Sequence, residues 1–382
     1  MKQNKNILKN PGVQSLLTSL LCILLGLFIG YLVLLLINPT GAWGAITNVM
    51  KNFLTYSSAK AQLKYLGNTL VRTAPLLMCS LSVLFVYKVG LFNIGAAGQY
   101  VAGACACLYA ALYLHWHWLP CMLLAIAAGA LLGVISGLLK SSFNVSEVIS
   151  GIMLNWIALY TTNMLLTNVK EATSPYTYQL KAEGPQAILP QISLSKLLSG
   201  NQYVTIAIPI AIVCAVVIWV VLSKTLFGYE LKATGNNPNA AKYCGMAEKR
   251  NIILTLAIGG ALAGLGASLL YQTGYEQWQC TYSSVPSMGF NGIAAAFLGG
   301  LSPIGSIFAS FFIQHITAGG AYVDKSLYCS QISDLISALI IYLCGFVLFM
   351  KNVMSSIAAR REEKAIAKAK ALAEAKKGGE TE

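Results

Sequence analysis

The sequence predicts an all-α polytopic membrane protein of about ten transmembrane helices, built as two related halves that each contain a broken helix. Three observations predict it. Hydrophobic residues make up 56% of the chain and charged residues 10%, whereas an ordinary soluble domain carries roughly 25% charged residues. Uncharged apolar runs of about 20 residues, the length that crosses a bilayer as a helix, recur from Leu16 to Met350. Two of these runs are interrupted by glycine, proline and amide side chains at corresponding places in the first and second halves.

In order, the spans are read near residues 16–37, 66–86, 91–113, 119–139, 147–167, 204–222, 251–271, 289–301, 304–320 and 332–350, with 289–301 too short to cross unaided. The first is longer than the apolar core of a signal peptide, and no convincing small-residue cleavage site follows it, so it reads as a membrane helix. Residues 1–15 form a short N-terminal segment and 16–350 the transmembrane domain. The Ala-, Lys- and Glu-rich tail, 351–382, reads as a solvated helix that frays at Gly378 and Gly379.

Orientation follows from the basic residues of short loops. Lys2, Lys5 and Lys9, the loop 223–250 with Lys224, Lys232, Lys242, Lys249 and Arg250, and the tail with Lys351, Arg360 and Arg361 all fall on one side. That side is predicted to be cytoplasmic, which puts both termini in the cytoplasm of a cell-membrane protein. The net charge of +13 follows from this bias and from the tail, and calls for no nucleic-acid partner.

Two longer loops, 38–65 and 168–203, face the other side. In the first, Trp43, Ile46, Val49, Met50, Phe53 and Leu54 recur at helical spacing and are expected to lie along the membrane surface. The second carries Pro175, Pro185 and Pro190 with Tyr176 and Tyr178, and is expected to be extended, with little helix, and open to an external partner. Most cysteines lie inside apolar spans as small hydrophobes; Cys280 and Cys329 share the outer side, with free thiols the default reading and a disulfide between them the alternative.

The stretch from Gly228 to Gly245 is polar and lies between two long apolar runs, so it must sit in water. Asn237 as cap, Pro238 at the first helical position, Ala240, Ala241 and Lys242 behind it, and Gly245 as stop predict a short helix over Pro238–Tyr243. It reads as a docking element for a soluble partner.

The two breaks are Leu91 to Gln99, with Phe92, Asn93, Gly95, Gly98 and Gln99, and Met288 to Gly305, with Phe290, Asn291, Gly292 and a Gly299-Gly300…Pro303 interruption. Irregular backbone at membrane depth is tolerated only where it is buried in protein or lines a watery path. Paired interruptions point to a translocation site, where half-helix N-termini can offer N–H groups to a polar solute. The alternative is that the glycines only let helices pack closely, as at Gly259, Gly260, Gly264 and Gly266.

No nucleotide-binding loop, metalloprotease motif, nucleophile elbow or Cys/His metal spacing occurs. Glu147 and Asp334 sit near span ends, and Arg72 and Lys88 are read as flanking the second span, so the intramembrane carboxylate of an ion-coupled carrier is missing. The expectation is a transport chain that is not an enzyme, binds no cofactor or metal, and draws its energy from a partner.

Four stretches, Leu91 to Gln99, Ser146 to Asn155, Leu231 to Gly245 and Gly289 to Gly300, resemble in this order the permease subunits of ABC importers. The nearest group is the nucleoside (simple-sugar type) permeases of the branched-chain amino acid and ribose permease family, and the resemblance covers nearly all of 16–350. It implies a type II ABC importer-like fold and three partners. These are a cytoplasmic ATPase with two nucleotide-binding cassettes that uses the ATP and magnesium, a second related permease forming a heterodimer, and an external substrate-binding lipoprotein.

By residue, the core from Asn237 through Pro238, Asn239 and Ala240 to Ala241, flanked by Gly235, Asn236, Tyr243 and Gly245, matches the helix that couples to the ATPase. Phe92, Asn93, Gly95, Gly98, Gln99, Phe290, Asn291 and Gly292 match the broken helices facing the pathway, and Glu147 and Asn155 the intervening motif. Two positions depart from the pattern: Ala97 stands where Glu is common, and Lys232 where Arg is usual. A cavity lined by Asn93, Gln99, Asn155 and Asn291 would suit a nucleoside. A simple sugar such as ribose is the alternative solute, and an ion-coupled carrier or a membrane scaffold the alternative class.

Overall fold

The structure, a computed structural model, describes residues 11–324 and 326–329 together with isolated positions between 335 and 356. The predicted tenth span and the tail lie largely outside the described residues. Regular structure within them is helical, with only three isolated bridges and no strand. The helices are α1 (Pro11–Ile37), α2 (Ala42–Lys51), α3 (Ala59–Lys88), α4 (Ala96–Leu112), α5 (Trp118–Phe143), α6 (Glu147–Leu166), the one-turn α7 (Leu180–Glu183) and α8 (Leu194–Leu197), α9 (Ala207–Lys224), α10 (Leu226–Asn236), α11 (Pro238–Tyr243), α12 (Glu248–Tyr271), α13 (Met288–Leu298) and α14 (Pro303–Gly319).

Seven of these, α1, α3, α5, α6, α9, α12 and α14, are long and apolar enough to cross a membrane, while α4 and α13 are shorter apolar helices. The nine coincide with the first nine predicted spans. At about 1.5 Å per residue, α13 reaches only about half of a ~30 Å hydrocarbon core. Rows of exposed apolar side chains, such as Leu24 and Phe28 on α1, Leu123 and Leu131 on α5, Ile157 on α6 and Val213 and Val217 on α9, give the bundle a lipid-facing surface.

Helix α3 is the hub, buried from Val71 to Val86 except at Arg72, with α4, α9, α12, α13 and α14 packed around it. On its far side α12 lies against α5 along a glycine seam. A Cβ on Gly129, Gly133, Gly260 or Gly264 would overlap backbone of the facing helix, so small residues here serve close helix approach. For this stretch the packing alternative holds.

Both long connecting segments, 38–65 and 168–203, are more tightly packed than expected. The apolar positions of this segment divide: on α2, Ala42, Ala45, Ile46 and Val49 are buried while Trp43 and Met50 face outward, as does Leu54 in the turn after it. Segment 168–203 is not a free extended loop. Its Thr177 N–H donates to Trp278 O (2.9 Å) and its Leu189 N–H to Gln272 O (3.0 Å), while Leu180, Ala187, Leu189 and Leu198 are buried. These apolar side chains find cover over the helix ends, which turns the segment into a cap. Cys280 and Cys329 are both free, as expected.

Candidate functional site

The first break forms a closed clasp. Helix α3 stops at Lys88, Gly90 reverses the chain at φ +82°, and residues 91–95 run to the start of α4. The Asn93 amide donates to Ser82 Oγ (2.9 Å) and to Gln99 Oε1 (2.8 Å). From α6, Asn155 Oδ1 accepts the Gly98 N–H (2.7 Å) and its Nδ2 donates to Ile94 O (3.1 Å). Asn155 thereby caps the first turn of α4 from a neighbouring helix. A Cβ on Gly98 would lie 2.6 Å from Asn155 Cα, and Gly95 packs on Gly151, so this approach requires glycine. Asn93, Gln99 and Asn155 are each 2% exposed. The Lys140–Glu147 ion pair (3.0 Å) joins α5 to the start of α6.

The second break opens onto a cavity. After α13, Gly299, Gly300 and Leu301 form a turn with positive φ at Gly300 and Leu301, and Ser302 and Pro303 start α14 as cap and first residue. At the other end of α13, Gly289 abuts Ala97 so closely that a Cβ would overlap it; the starts of the two short helices therefore meet. Beside that contact lies a cavity of about 380 Å³, lined by Arg72 from α3, Tyr100 from α4, Tyr271 from α12, Glu276, Tyr282 and Ser287 from the loop 272–287, Asn291 from α13, and Gln314 and Thr317 from α14.

Arg72 and Glu276 form an ion pair (2.5 Å), and the guanidinium lies 5.2 Å from the centre of the Tyr275 ring. The roof loop is fastened at several points: Gln272 Nε2 donates to Trp118 O (2.8 Å), Trp278 Nε1 to Asn163 Oδ1 (3.0 Å), and Asn163 Nδ2 to Tyr282 O (2.9 Å). Burial pushes the Tyr275 and Tyr282 phenols above their ordinary range, so both are neutral hydroxyls at physiological pH. One and two turns before Gln314 on α14, Ser310 and Ser306 are fully buried with hydroxyls that lack a hydrogen-bond partner, as is Ser80 on α3. They continue polar groups from the cavity toward α13.

Of the residues expected to face a pathway, Asn291 lines this cavity. Asn93, Gln99 and Asn155 are bonded within the clasp instead, with Gly95 and Gly98 as its spacers. Gly292 packs on Cys79 and Ser80, Phe92 is half-buried, and Phe290 is 38% exposed. Arg72, Glu276, the tyrosines and Gln314 were not anticipated. Arg72 does not flank the second span but sits inside α3, about 20 Å from its start. A charge inside an apolar run is itself a pointer to function; its partner Glu276, some two hundred residues on, is visible only in the fold.

At the opposite end, α11 forms as its spacing predicts. Asn237 Oδ1 accepts the Ala240 N–H (3.0 Å), Pro238 occupies the first position, and Gly245 ends the element at φ +81°. Ala241 faces inward while Tyr243 is 94% exposed. The preceding helix α10 was not predicted. Its Gly235 lies on Val89 and Gly90 with no space for a Cβ, and Thr234 Oγ1 accepts from Asn251 Nδ2 on α12 (2.9 Å). A continuous line of contact thus runs from α11 through α10 to the turn that leads into Asn93.

Membrane-length helices around one polar cavity, broken helices at its floor and an exposed, capped helix at the far end define a multi-pass membrane permease. The chain belongs to the family of permease components of branched-chain amino acid transport systems, whose model matches residues 65–345. It is 32% identical to the nucleoside ABC transporter permease protein NupB of Lactococcus lactis subsp. cremoris, over 90% of this chain and 94% of that one. It is 32% identical to the guanosine ABC transporter permease protein NupP of Bacillus subtilis, over 90% and 96%. The glucose ABC transporter permease protein TsgB13 of Haloferax volcanii is 28% identical, over 89% and 90%. No solved structure matches the chain significantly. As an ABC permease component the chain is a transport subunit that works with an ATPase and a binding protein, and ATP hydrolysis belongs to the separate subunit.

Proposed function

We propose that this chain is the transmembrane permease of an ATP-driven importer that passes nucleosides delivered by an external binding lipoprotein. The observation that carries the proposal is the cavity at Asn291. Its lining of tyrosines, amides and hydroxyls, with one self-neutralising ion pair, suits a neutral solute that has both an aromatic face and many hydrogen-bonding groups. The names of NupB and NupP support the same solute class. The name of TsgB13 favours a second reading, a simple sugar.

The remaining architecture is part of the proposal: ten spans in a type II importer arrangement, both termini and the 223–250 loop in the cytoplasm, and 38–65 and 168–203 outside. A second, related permease forms a heterodimer with this one. ATP and magnesium are bound by a double-cassette ATPase and no cofactor by this chain. ATPase closure moves α11, from Pro238 to Tyr243 with Asn239 and Ala240 in the docking groove and Asn236 behind it. The displacement passes through Gly235 to Val89 and Gly90 and loosens the Asn93–Gln99 clasp.

Two measurements test this. Deleting the chain's gene should abolish uptake of labelled guanosine and uridine while leaving ribose and glucose uptake intact; the reverse pattern would establish the sugar reading. Changing Ala240 to Glu should abolish uptake and solute-stimulated ATP hydrolysis while the permease still accumulates in the membrane. Normal uptake by that variant would remove α11 from the coupling path.

A further inference from the structure

We propose that α13 is a movable gate over the stretch of the solute path beyond the cavity, and that the hydroxyls of Ser80, Ser306 and Ser310 line that stretch once α13 shifts. The inference rests on the permease reading and adds which helix moves and what the solute meets next.

The three hydroxyls are costly where they stand. Each residue is fully buried, and none of the three Oγ atoms has a hydrogen-bond partner among the described residues. A buried hydroxyl within a helix commonly returns to a carbonyl one turn back, as Thr73 does to Thr69 O (2.7 Å) and Thr255 to Asn251 O (2.7 Å). One without a partner gives up its hydration and gains nothing in exchange. Packing alone would be served as well by alanine, which already fills this interface at Ala294, Ala295 and Ala309 beside Leu76.

The hydroxyls lead away from the cavity. Ser306, Ser310 and Gln314 are spaced by four and share one stripe of α14 about 12 Å long, and Gln314 ends that stripe in the cavity wall. Ser80 lies about 12 Å along α3 from Arg72, another wall residue, and about 10 Å short of Tyr87. Helix α13 runs down the same interval. Its Gly292 lies on the backbone of Cys79 and Ser80, and Gly299, just past its end, on that of Gly305 and Ser306, each with no space for a Cβ. Of the 11 residues of α13 only Asn291 has a polar side chain, so the helix covers the hydroxyls without satisfying them.

The coupling end of the molecule reaches α13 directly. Phe297 packs edge-on against Tyr87 at 5.2 Å between centroids, and Tyr87 stands two residues before Val89, on whose carbonyl Gly235 of α10 lies. A shift of α10 is therefore passed to α13 through one ring contact. Gly292, Ala294, Ala295 and Gly299 present no long side chains to interlock, which suits sliding of one packed helix past another.

Thiol labelling of the assembled importer, purified with its ATPase and binding protein, tests the gate. Ser306→Cys and Ser310→Cys put a small apolar thiol in place of each hydroxyl; the probe is a charged methanethiosulfonate, read by peptide mass at those positions. Both thiols should be inert at rest and react once ATP and guanosine are present, with ribose as the solute if cells import the sugar instead. The double variant Ser306→Ala, Ser310→Ala should keep or raise the melting temperature and bind guanosine at rest as the wild type does. Its uptake should fall about tenfold, the worth of about one to two hydrogen bonds to the passing solute. Thiols that stay inert during turnover or react as fast at rest overturn the inference, as does a double variant that melts early or imports normally. Solute uptake by cells with the wild-type chain would still leave the permease assignment standing. Cells that import neither nucleoside nor sugar through this chain overturn both.

Discussion

The two broken segments of this permease meet at Gly289 and Ala97 and do opposite things. Around α4 the polar groups face each other: Asn93 bonds Ser82 and Gln99, and Asn155 reaches across from α6 to cap the first turn at Gly98. Around α13 they face a space, with Asn291, Gln314, Arg72 and Glu276 on one cavity wall. Local composition is similar, glycine with asparagine at the start of a short helix. The difference lies in what the neighbouring helix supplies. An acceptor inserted from α6 closes the first site, whereas the start of α13 looks onto a loop and the polar face of α14. A break at membrane depth is therefore either a clasp or a mouth, and the neighbouring elements decide which.

The largest effect should come from filling the clasp's spacers. Gly98→Val puts a side chain where a Cβ already lies 2.6 Å from Asn155 Cα and 3.1 Å from its backbone N, and backbone on both sides cannot yield cheaply. Overpacking of this kind typically costs about 1–3 kcal/mol and at times more; here the Asn155 cap is displaced as well. Loss of the folded, monodisperse protein in size-exclusion chromatography is expected. Gly200→Ala, at φ +68° but with open space around it, should leave a monodisperse protein and serves as the control. A well-folded Gly98→Val permease would mean that the clasp is not closed.

The clasp and the mouth can then be separated by alanine. Asn155→Ala leaves the Gly98 N–H and the Ile94 carbonyl unpaired, and an orphaned buried polar group costs about 1–3 kcal/mol, visible as a lower melting temperature in detergent. Asn291→Ala and Gln314→Ala remove groups that face a cavity, so stability should change by about 0.5 kcal/mol or less while affinity for guanosine falls severalfold. If Asn291→Ala melted early, or Asn155→Ala weakened solute binding without melting early, the contrast between the two breaks would fail.

Much of this was legible in the chain itself. Apolar run lengths located the seven helices of membrane-spanning length and the two shorter apolar ones among the described residues, because crossing a bilayer requires long apolar runs, and Asn237, Pro238 and Gly245 marked α11 because caps and stops are local chemistry. The use of Asn93, Gln99 and Asn155 was not legible, since an amide that lines a pathway and one that ties two helices together are identical in sequence. Arg72 stood in view within an apolar run, but its meaning depends on Glu276 and Tyr275, which the turn after α12 brings beside it. Helix α10 was hidden by Gly228 and Gly235, residues that disfavour a helix in isolation and are needed here because each lies against neighbouring backbone.

The smallest predicted effect joins the two ends of the molecule. Asn237→Ala removes the side chain that accepts the Ala240 N–H, a cap worth about 1 kcal/mol, from a helix of only six residues. Such a helix has few other bonds to hold it, so its population should fall and uptake should drop a fewfold. The cavity at Asn291 lies at the other end of the bundle, and guanosine binding to the purified chain should keep its wild-type strength. Asn237→Asp should recover part of the uptake, because a carboxylate accepts the same N–H and its charge favours a helix N-terminus. If Asn237→Ala also weakened guanosine binding, α11 would act on the resting cavity and not only on the clasp, and the line through Gly235 and Gly90 would have to extend as far as Asn291.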